Sequence, residues 1–301
     1  ISEGGEYERV TFHPDYSYAN FVGTYKPVPT KNGISYEYVP GPFMRTYVKA
    51  IENGQSENKE DVKPFLLLIE EINRANVAAV FGEVFQLLDR DDRNASQYPG
   101  QTVISGEVKA LEASAKIAKE LGGRPEQYDE IKIPDNMYIW STMNSADQGV
   151  FPMDTAFKRR WNFEYIGINH KEEKIKDTYL VCDKAQVPYR VDWNELRKAI
   201  NTTLASRDYK INEDKLMGSF FVSKSILENE DAFRETFKSK IIMYLFEDAA
   251  KQRRHMLFEG CDEDIRNQYS AICEEFDKRG IDIFCKEIRD KIKKEYLSEL
   301  E

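Results

Sequence analysis

Residues 65–71 have the sequence FLLLIEE, a short apolar run that ends in two acids. Such a run predicts a strand buried on both faces, as in a parallel sheet. Residues 137–142, with the sequence MYIWST, predict a second strand of this kind. Together the two segments indicate an α/β layer built on a parallel sheet.

The rest of the first half fits this layer. Alternating polar and apolar residues predict strands and a hairpin, whereas apolar residues at helical spacing predict helices. In chain order we expect a strand at residues 7–12, a hairpin at residues 25–38 with its turn at Asn32-Gly33, an amphipathic helix at residues 77–88, a short helix at residues 154–160 and a third core strand at residues 162–166.

The second half is patterned almost entirely as helix. Apolar residues at helical spacing surround Phe237, Ile272 and Ile292. We therefore predict two domains: an α/β core at residues 1–166, and an all-helical domain with a helical tail at residues 167–301.

Charge and composition exclude several function classes. The chain carries 43 basic and 53 acidic residues, a formal net charge of −10. A protein that binds nucleic acid on its own needs a basic face, so this region is not expected to do so. The four cysteines and three histidines lack metal-ligand spacing, which favours reduced thiols. No segment resembles a membrane span or signal peptide, so we expect a soluble, cytoplasmic protein without membrane association.

Polar residues follow both buried strands. In parallel sheets the working groups sit at the carboxyl ends of strands. In nucleotide hydrolysis, an acid such as Glu70 holds Mg²⁺, and a second acid such as Glu71 orients or deprotonates the attacking water. Asn144, just past the second strand, can position that water or touch the terminal phosphate. The alternatives are an ordinary polar strand end and, for Asn144, a turn residue.

Three bases, Lys158-Arg159-Arg160, close the short helix at residues 154–160. Bases in a last turn complement the helix dipole. The alternative is an arginine finger, which reaches a neighbouring subunit's nucleotide and stabilises transition-state charge.

Four segments resemble, in this order, the McrB-type branch of AAA+ proteins. They are FHPDYSY at residues 12–18 with Phe21, Tyr25 and Pro27; EINRAN at residues 71–76 with FGE at residues 81–83; MNSAD at residues 143–147; and DTAFKRRW at residues 154–161. The resemblance covers residues 10–166. It is weaker in the helical half, where only KLMGSFF at residues 215–221 is similar to the family's lid segment.

The resemblance implies a partial AAA+ P-loop NTPase core followed by a helical lid. The full-length protein would hydrolyse GTP or ATP with Mg²⁺ at the subunit interfaces of a homo-oligomeric ring, expected to be a hexamer. The family suggests a McrC-like endonuclease subunit as partner, with hydrolysis driving DNA translocation and cleavage in a restriction and defence system. DNA would bind through an upstream domain outside this chain.

The resemblance also assigns roles to single residues. Glu70 would help hold Mg²⁺, Glu71 would polarise the lytic water and Asn144 would be the sensor contact. Asp147 would orient Asn144 or a neighbour's arginine at the nucleotide. Further candidates are Arg159 and Arg160 for the finger, Arg74 for the interface or for an ion pair with Glu83 or Asp89, and Lys215 for the phosphate-sensing residue of the lid.

Two departures from the family pattern stand out. Glu70 occupies a position where the family usually has Asp. The phosphate-loop pattern GxxxxGK[ST] does not occur in the 301 residues, and the resemblance places that loop before Ile1.

Two other function classes stay open. A MoxR-like AAA+ chaperone shares the Glu71–Ala75 stretch, although the MNSAD segment favours the McrB side. A degenerate or truncated AAA+ module would only assemble with, or regulate, a complete one. The basic residues between Lys286 and Lys294 alternate with acids, which is typical of a solvated helix face rather than a DNA contact.

Overall fold

The structure, a computed structural model, describes residues 4–89, 100–101, 130–144 and 149–299. The chain divides into two compact units, Ile1–Phe163 and Glu164–Glu301. This division falls three residues before the boundary predicted from the sequence, which lies after residue 166.

The first unit is built on a three-stranded parallel sheet. Its strands are β1 (Glu6–Thr11), β4 (Phe65–Glu70) and β7 (Met137–Ser141), in the order β1-β4-β7. In the register of the sheet, Thr11 is opposite Glu70 and Ile69 is opposite Ser141. The three strands therefore end at one edge, and the predicted parallel layer is confirmed.

The other elements of the first unit connect or flank these strands. They are α1 (Tyr18–Phe21), β2 (Gly23–Thr30), β3 (Gly33–Pro40), α2 (Pro42–Gly54), α3 (Val77–Phe81), β5 (Gly100–Gln101), β6 (Glu130–Ile131), α4 (Thr155–Lys158) and 3-10 turns at Lys59–Asp61, Ile72–Arg74 and Gly82–Leu88. The expected hairpin is β2–β3. Thr30 pairs with Gly33 across a loop of Lys31 and Asn32, one residue before the predicted turn.

An aromatic cluster fixes the elements that carry the polar strand ends. Phe81 on α3 is fully buried, and its ring centroid lies 4.8 Å from that of Phe21 on α1 and 5.4 Å from that of Phe157 on α4. The Phe12 ring, just past β1, lies 6.4 Å from the same centre. Three short helices and the end of β1 are thereby held together by one side chain.

The two faces of the parallel sheet differ in burial. Phe65, Leu67 and Ile69 are buried on one face of β4. On β7, Tyr138 and Trp140 are 49% and 63% exposed. Parallel sheets are normally covered on both faces. The described structure therefore leaves exposed two aromatic residues on a sheet of the kind that is normally buried on both faces.

Two expectations for the first half are wrong. The helix predicted for residues 77–88 ends at Phe81, because Gly82 adopts φ +50° and a 3-10 turn follows. The strand predicted for residues 162–166 is absent from the described structure, and Phe163, Tyr165 and Ile166 are exposed. Apolar residues are necessary for a core strand, but a strand also needs a neighbour that offers hydrogen bonds, and none of the described strands pairs with this segment.

The second unit is helical around a large apolar core. Its helices are α5 (Trp193–Leu204), α6 (Lys224–Leu227), α7 (Glu230–Thr236), α8 (Arg254–Leu257), α9 (Tyr269–Arg279) and α10 (Lys286–Arg289), with π-helical turns at Phe237–Ile242 and Leu245–Ala249 and 3-10 turns at Glu172–Ile175, Glu213–Lys215, Glu263–Ile265, Gly280–Ile283 and Leu297–Glu299. Its core is centred on Trp193 and Phe237, whose ring centroids lie 6.2 Å apart.

The second unit also contains a small antiparallel sheet that we did not predict. Its strands are β8 (Tyr179–Cys182), β9 (Tyr189–Asp192) and β10 (Glu295–Tyr296), in the order β10-β9-β8. The helical character of this half is confirmed, but the expectation that it is all-helical is wrong. Of the helices described in either unit, none combines the length and apolarity that a membrane span requires.

The aromatic cluster predicts a large stability effect at one position. Replacing Phe81 with alanine should lower the free energy of unfolding by about 3–5 kcal/mol, because it removes a fully buried ring. Phe163, which is 56% exposed, is the matched control, and Phe163→Ala should change stability by at most about 0.5 kcal/mol. Urea denaturation of both variants measures the difference. Equal effects would contradict a central role for Phe81.

Candidate active site

Glu71 occupies a strained turn that the neighbouring strand holds in place. Its backbone is left-handed (φ 54°, ψ 45°), which costs about 1–2 kcal/mol for a residue with a Cβ. The Ile72 N–H donates to the Thr142 carbonyl at 3.0 Å, and the Glu71 N–H donates to the Thr142 hydroxyl oxygen at 3.4 Å. The continuation of β7 thus fixes where the Glu71 side chain leaves the backbone. Strain of this kind is concentrated at functional sites.

Asn73 ties the turn after β4 to the segment after β7. Its side chain is 3% exposed, and its Nδ2 donates to the backbone carbonyl of Asn144 at 2.8 Å. The backbone carbonyl of Asn73 accepts a hydrogen bond from the Phe151 N–H at 2.8 Å. The structure therefore brings the predicted site residues Glu71 and Asn144 to one edge of the sheet. Sequence reasoning missed Asn73 as a functional residue, and its place in the EINRAN segment is the one signal that points to it.

Each acid at the end of β4 has an arginine partner. The Oε2 of Glu70 accepts from Arg9 Nε at 2.8 Å, and the Oε2 of Glu71 accepts from Arg74 Nε at 3.3 Å. Arg74, for which the sequence suggests either an interface role or an ion pair with Glu83 or Asp89, forms its described ion pair with Glu71. Arg74 and Glu71 are each 41% exposed, so the energy of that pair is small.

The segment at residues 12–18 packs against the segment at residues 81–83. A Cβ on Gly82 would lie 2.8 Å from Cδ2 of the Tyr18 ring, so this position requires glycine for space as well as for its positive φ. Burial, with a smaller contribution from Glu83, raises the pKa of Tyr18 to about 12. The Tyr18 hydroxyl therefore stays neutral near pH 7 and adds no charge to the site.

Comparison with known proteins shows the family of this chain. Residues 1–161 match the family model of the AAA domain of the dynein-related subfamily. The component YdiS of the type II restriction enzyme BsuMI from Bacillus subtilis is 39% identical over 272 residues, which cover 81% of this chain and 71% of that protein. The chain belongs to the McrB-like branch of the AAA+ family.

A second relative gives the branch its name. The subunit EcoKMcrB of a type IV methyl-directed restriction enzyme from Escherichia coli is 26% identical over 260 residues, which cover 81% of this chain and 48% of that protein. The chain thus spans about half the length of this relative. Among solved structures, a candidate ATPase from Cytophaga hutchinsonii aligns over 98% of this chain and 72% of its own, at 14% identity and a TM-score of 0.29.

The McrB-like domain places its two finger candidates in different environments. Arg160 lies 2.7 Å from the Asp89 carboxylate, its guanidinium stacks on the Phe85 ring at 4.1 Å, and its side chain is 9% exposed. Arg159 is exposed, and its side chain forms no hydrogen bond or ion pair with any residue that the structure describes. Arg160 therefore fastens α4 to the segment that follows the turn at Gly82–Leu88, and Arg159 takes no part in this contact.

The remaining predicted site residues are Lys215 and Asp147. Lys215, in the second unit, forms an ion pair with Asp248 at 2.7 Å. Tyr244 donates its hydroxyl to the Lys215 carbonyl at 3.0 Å, which fixes the backbone there. Asp147 lies outside the residues that the structure describes.

The oxygen donors at the sheet edge fit Mg²⁺. Mg²⁺ takes oxygen ligands, and in nucleotide sites one or two carboxylates usually suffice beside water and phosphate. The contacts of Glu70 and Glu71 use Oε2 of each side chain and leave Oε1 of each without a hydrogen bond to the described protein. The donor set is therefore chemically suited to the ion that the sequence analysis expected.

The contrast between the two arginines predicts different stability effects. Arg160→Ala should lower the free energy of unfolding by about 1–3 kcal/mol. Breaking a fully buried ion pair costs roughly 3–5 kcal/mol, and the cost is smaller here because the Asp89 side chain is 24% exposed. Arg159→Ala is the matched control and should change it by at most about 0.5 kcal/mol. Urea denaturation distinguishes the two. A larger loss of stability for Arg159→Ala than for Arg160→Ala would show that Arg159, and not Arg160, anchors the helix.

Proposed function

We propose that this domain is the nucleotide-hydrolysing part of a restriction motor, which hydrolyses GTP or ATP at the subunit interfaces of a homo-oligomeric ring, a hexamer. The observation that carries the proposal is the joining of the two strand ends: Glu70 and Glu71 end β4, and Asn73 bonds the carbonyl of Asn144 after β7 at 2.8 Å. The side chain that would activate water and the one that would contact phosphate therefore belong to segments that meet at one edge of the parallel sheet.

The roles follow from the chemistry of phosphoryl transfer. The Glu71 carboxylate accepts a proton from the attacking water, whose oxygen bonds to the terminal phosphorus as the bond to the bridging oxygen breaks. The products are a nucleoside diphosphate and phosphate. Asn144 hydrogen-bonds the water or the terminal phosphate. Glu70 holds Mg²⁺, which when bound neutralises phosphate charge.

Arg159 is the finger in this proposal, and Arg160 is its structural neighbour. A finger has to be free to reach another subunit's nucleotide, and the ion pair with Asp89 commits Arg160 to its own subunit. Lys215 would contact phosphate from the lid after leaving Asp248. Asp147 would orient Asn144.

The relatives favour a restriction system as the setting, because both are named as restriction components. We infer a McrC-like endonuclease subunit as partner, DNA translocation driven by hydrolysis, DNA contact through a domain outside this chain and a cytoplasmic location. The acidic net charge of −10 agrees with DNA contact elsewhere in the assembly.

The first test concerns Glu71. In the full-length protein, Glu71→Gln should lower phosphate release about 10²–10⁴-fold with GTP or ATP, because the amide cannot accept the proton, while nucleotide binding persists. Phosphate release is measured with both nucleotides in parallel, with the endonuclease partner present and absent. Glu299→Gln, a surface change near the chain end, is the control. No turnover by the wild-type protein under any of these conditions would leave an assembly module.

The second test asks whether Arg159 acts in trans. Arg159→Ala should lower phosphate release about 10³–10⁵-fold. Mixing Arg159→Ala subunits with Glu71→Gln subunits should restore part of the activity, because some interfaces then combine an intact Glu71 with an intact Arg159. A mixture as inactive as either variant alone would exclude a finger supplied across the interface.

A further inference from the structure

The contact between Arg9 and Glu70 is not explained by the proposed hydrolysis. Thr11 on β1 is opposite Glu70 in the register of the sheet, and Arg9 lies two residues before it on the same face. Arg9 Nε and Nη2 lie 2.8 Å and 2.7 Å from Oε2 of Glu70, and the Thr11 hydroxyl donates to this oxygen at 3.3 Å. Two hydrogen bonds and one ion-pair contact from a single strand therefore converge on one carboxylate oxygen.

The other oxygen of Glu70 has a different environment. Neither Arg9 nor Thr11 bonds Oε1, so the contacts fix the carboxylate group and leave one oxygen available. Glutamate has one more rotatable bond than aspartate, and ordering that bond costs entropy. Mg²⁺ demands near-ideal octahedral geometry. A glutamate beside Mg²⁺ therefore benefits from a contact that fixes its end.

We propose that Arg9 is a positioning residue for Glu70: it holds Oε2 on β1 and reserves Oε1 for the Mg²⁺ of the bound nucleotide. Arg9 thereby compensates for the extra methylene of Glu70. This inference rests on the proposed function, because it takes Glu70 as the acid on the metal side.

An arginine beside a metal-binding carboxylate has two opposing effects. Its positive charge weakens the attraction of the carboxylate for a cation, whereas its hydrogen bonds order the carboxylate. The Arg9 side chain is 60% exposed, so water and salt screen its charge. The hydrogen bond from Arg9 Nε at 2.8 Å and the ion-pair contact from Nη2 at 2.7 Å are direct contacts with Glu70, and they fix the direction of its carboxylate. Ordering is therefore the larger effect, and loss of Arg9 weakens Mg²⁺ binding.

The experiment measures Mg²⁺ binding without turnover. In the full-length protein carrying Glu71→Gln, binding of a fluorescent GTP or ATP analogue is titrated with Mg²⁺. Adding Arg9→Gln should raise the Mg²⁺ concentration for half-maximal binding about fivefold or more, and Arg9→Lys, which keeps the charge and a donor, should raise it less. Lys49→Gln is the control. It removes the positive charge that pairs with Glu6 on β1, and it should leave the Mg²⁺ concentration for half-maximal binding unchanged.

A double variant tests the compensation directly. Adding Glu70→Asp to Arg9→Gln should bring the Mg²⁺ requirement back to within about twofold of that of the parent, because the shorter acid needs no anchor. Thermal unfolding followed by circular dichroism verifies that each variant is folded. An unchanged or lower Mg²⁺ requirement in Arg9→Gln overturns the inference, as does a double variant no better than Arg9→Gln. If the parent protein binds neither nucleotide at any Mg²⁺ concentration, the proposed function itself fails, and the inference falls with it.

Discussion

The parallel pairing of β4 with β7 is the constraint on which the candidate active site depends. The pairing continues past the strands themselves, because the Thr142 N–H donates to the Ile69 carbonyl at 2.9 Å and the Ile72 N–H donates to the Thr142 carbonyl at 3.0 Å. These bonds hold Glu71 in its left-handed turn and set the path on which Asn73 reaches Asn144. A shift of β7 by one residue would turn its side chains to the opposite face and separate the two candidate groups.

The aromatic cluster around Phe81 is the second feature that holds the site together, because it packs the end of β1 against α1, α3 and α4. It joins α3, the helix after the Glu71 turn, to α4, the helix that ends directly before Arg159 and Arg160. Arg160 adds a second link, through Asp89 and the face of Phe85. The finger candidate is thus mounted on the same rigid body as the acids, which suits a group that must reach outward by a defined distance. The two adjacent arginines thus differ: Arg160 fixes the helix, and Arg159 has no hydrogen bond or ion pair to the described residues.

Electrostatics at the site is organised in pairs. Glu70 and Glu71 each form an ion pair with an arginine, which offsets the repulsion between the two adjacent negative charges. These pairs are partly exposed and therefore contribute little to stability. Their value lies in orientation, since each fixes one oxygen of its carboxylate and leaves the other. The same edge can accordingly hold negative side chains and still present oxygens to a cation.

The sequence by itself determined the parallel layer, the places of Glu70, Glu71 and Asn144 at strand ends, and membership of the McrB-like branch. Strand periodicity and ordered motifs are local properties, and local properties are legible in a sequence. Prediction from the sequence was wrong at residues 162–166, where the apolar residues have no partner strand among the described strands. It was also wrong at Gly82, where a positive φ ends the helix. Only the tertiary structure decided that Arg160 is anchored and Arg159 free of such a contact, and that Arg9 holds Glu70. These contacts join residues 61 and 71 positions apart, and their distances depend on strand register and packing rather than on neighbouring sequence.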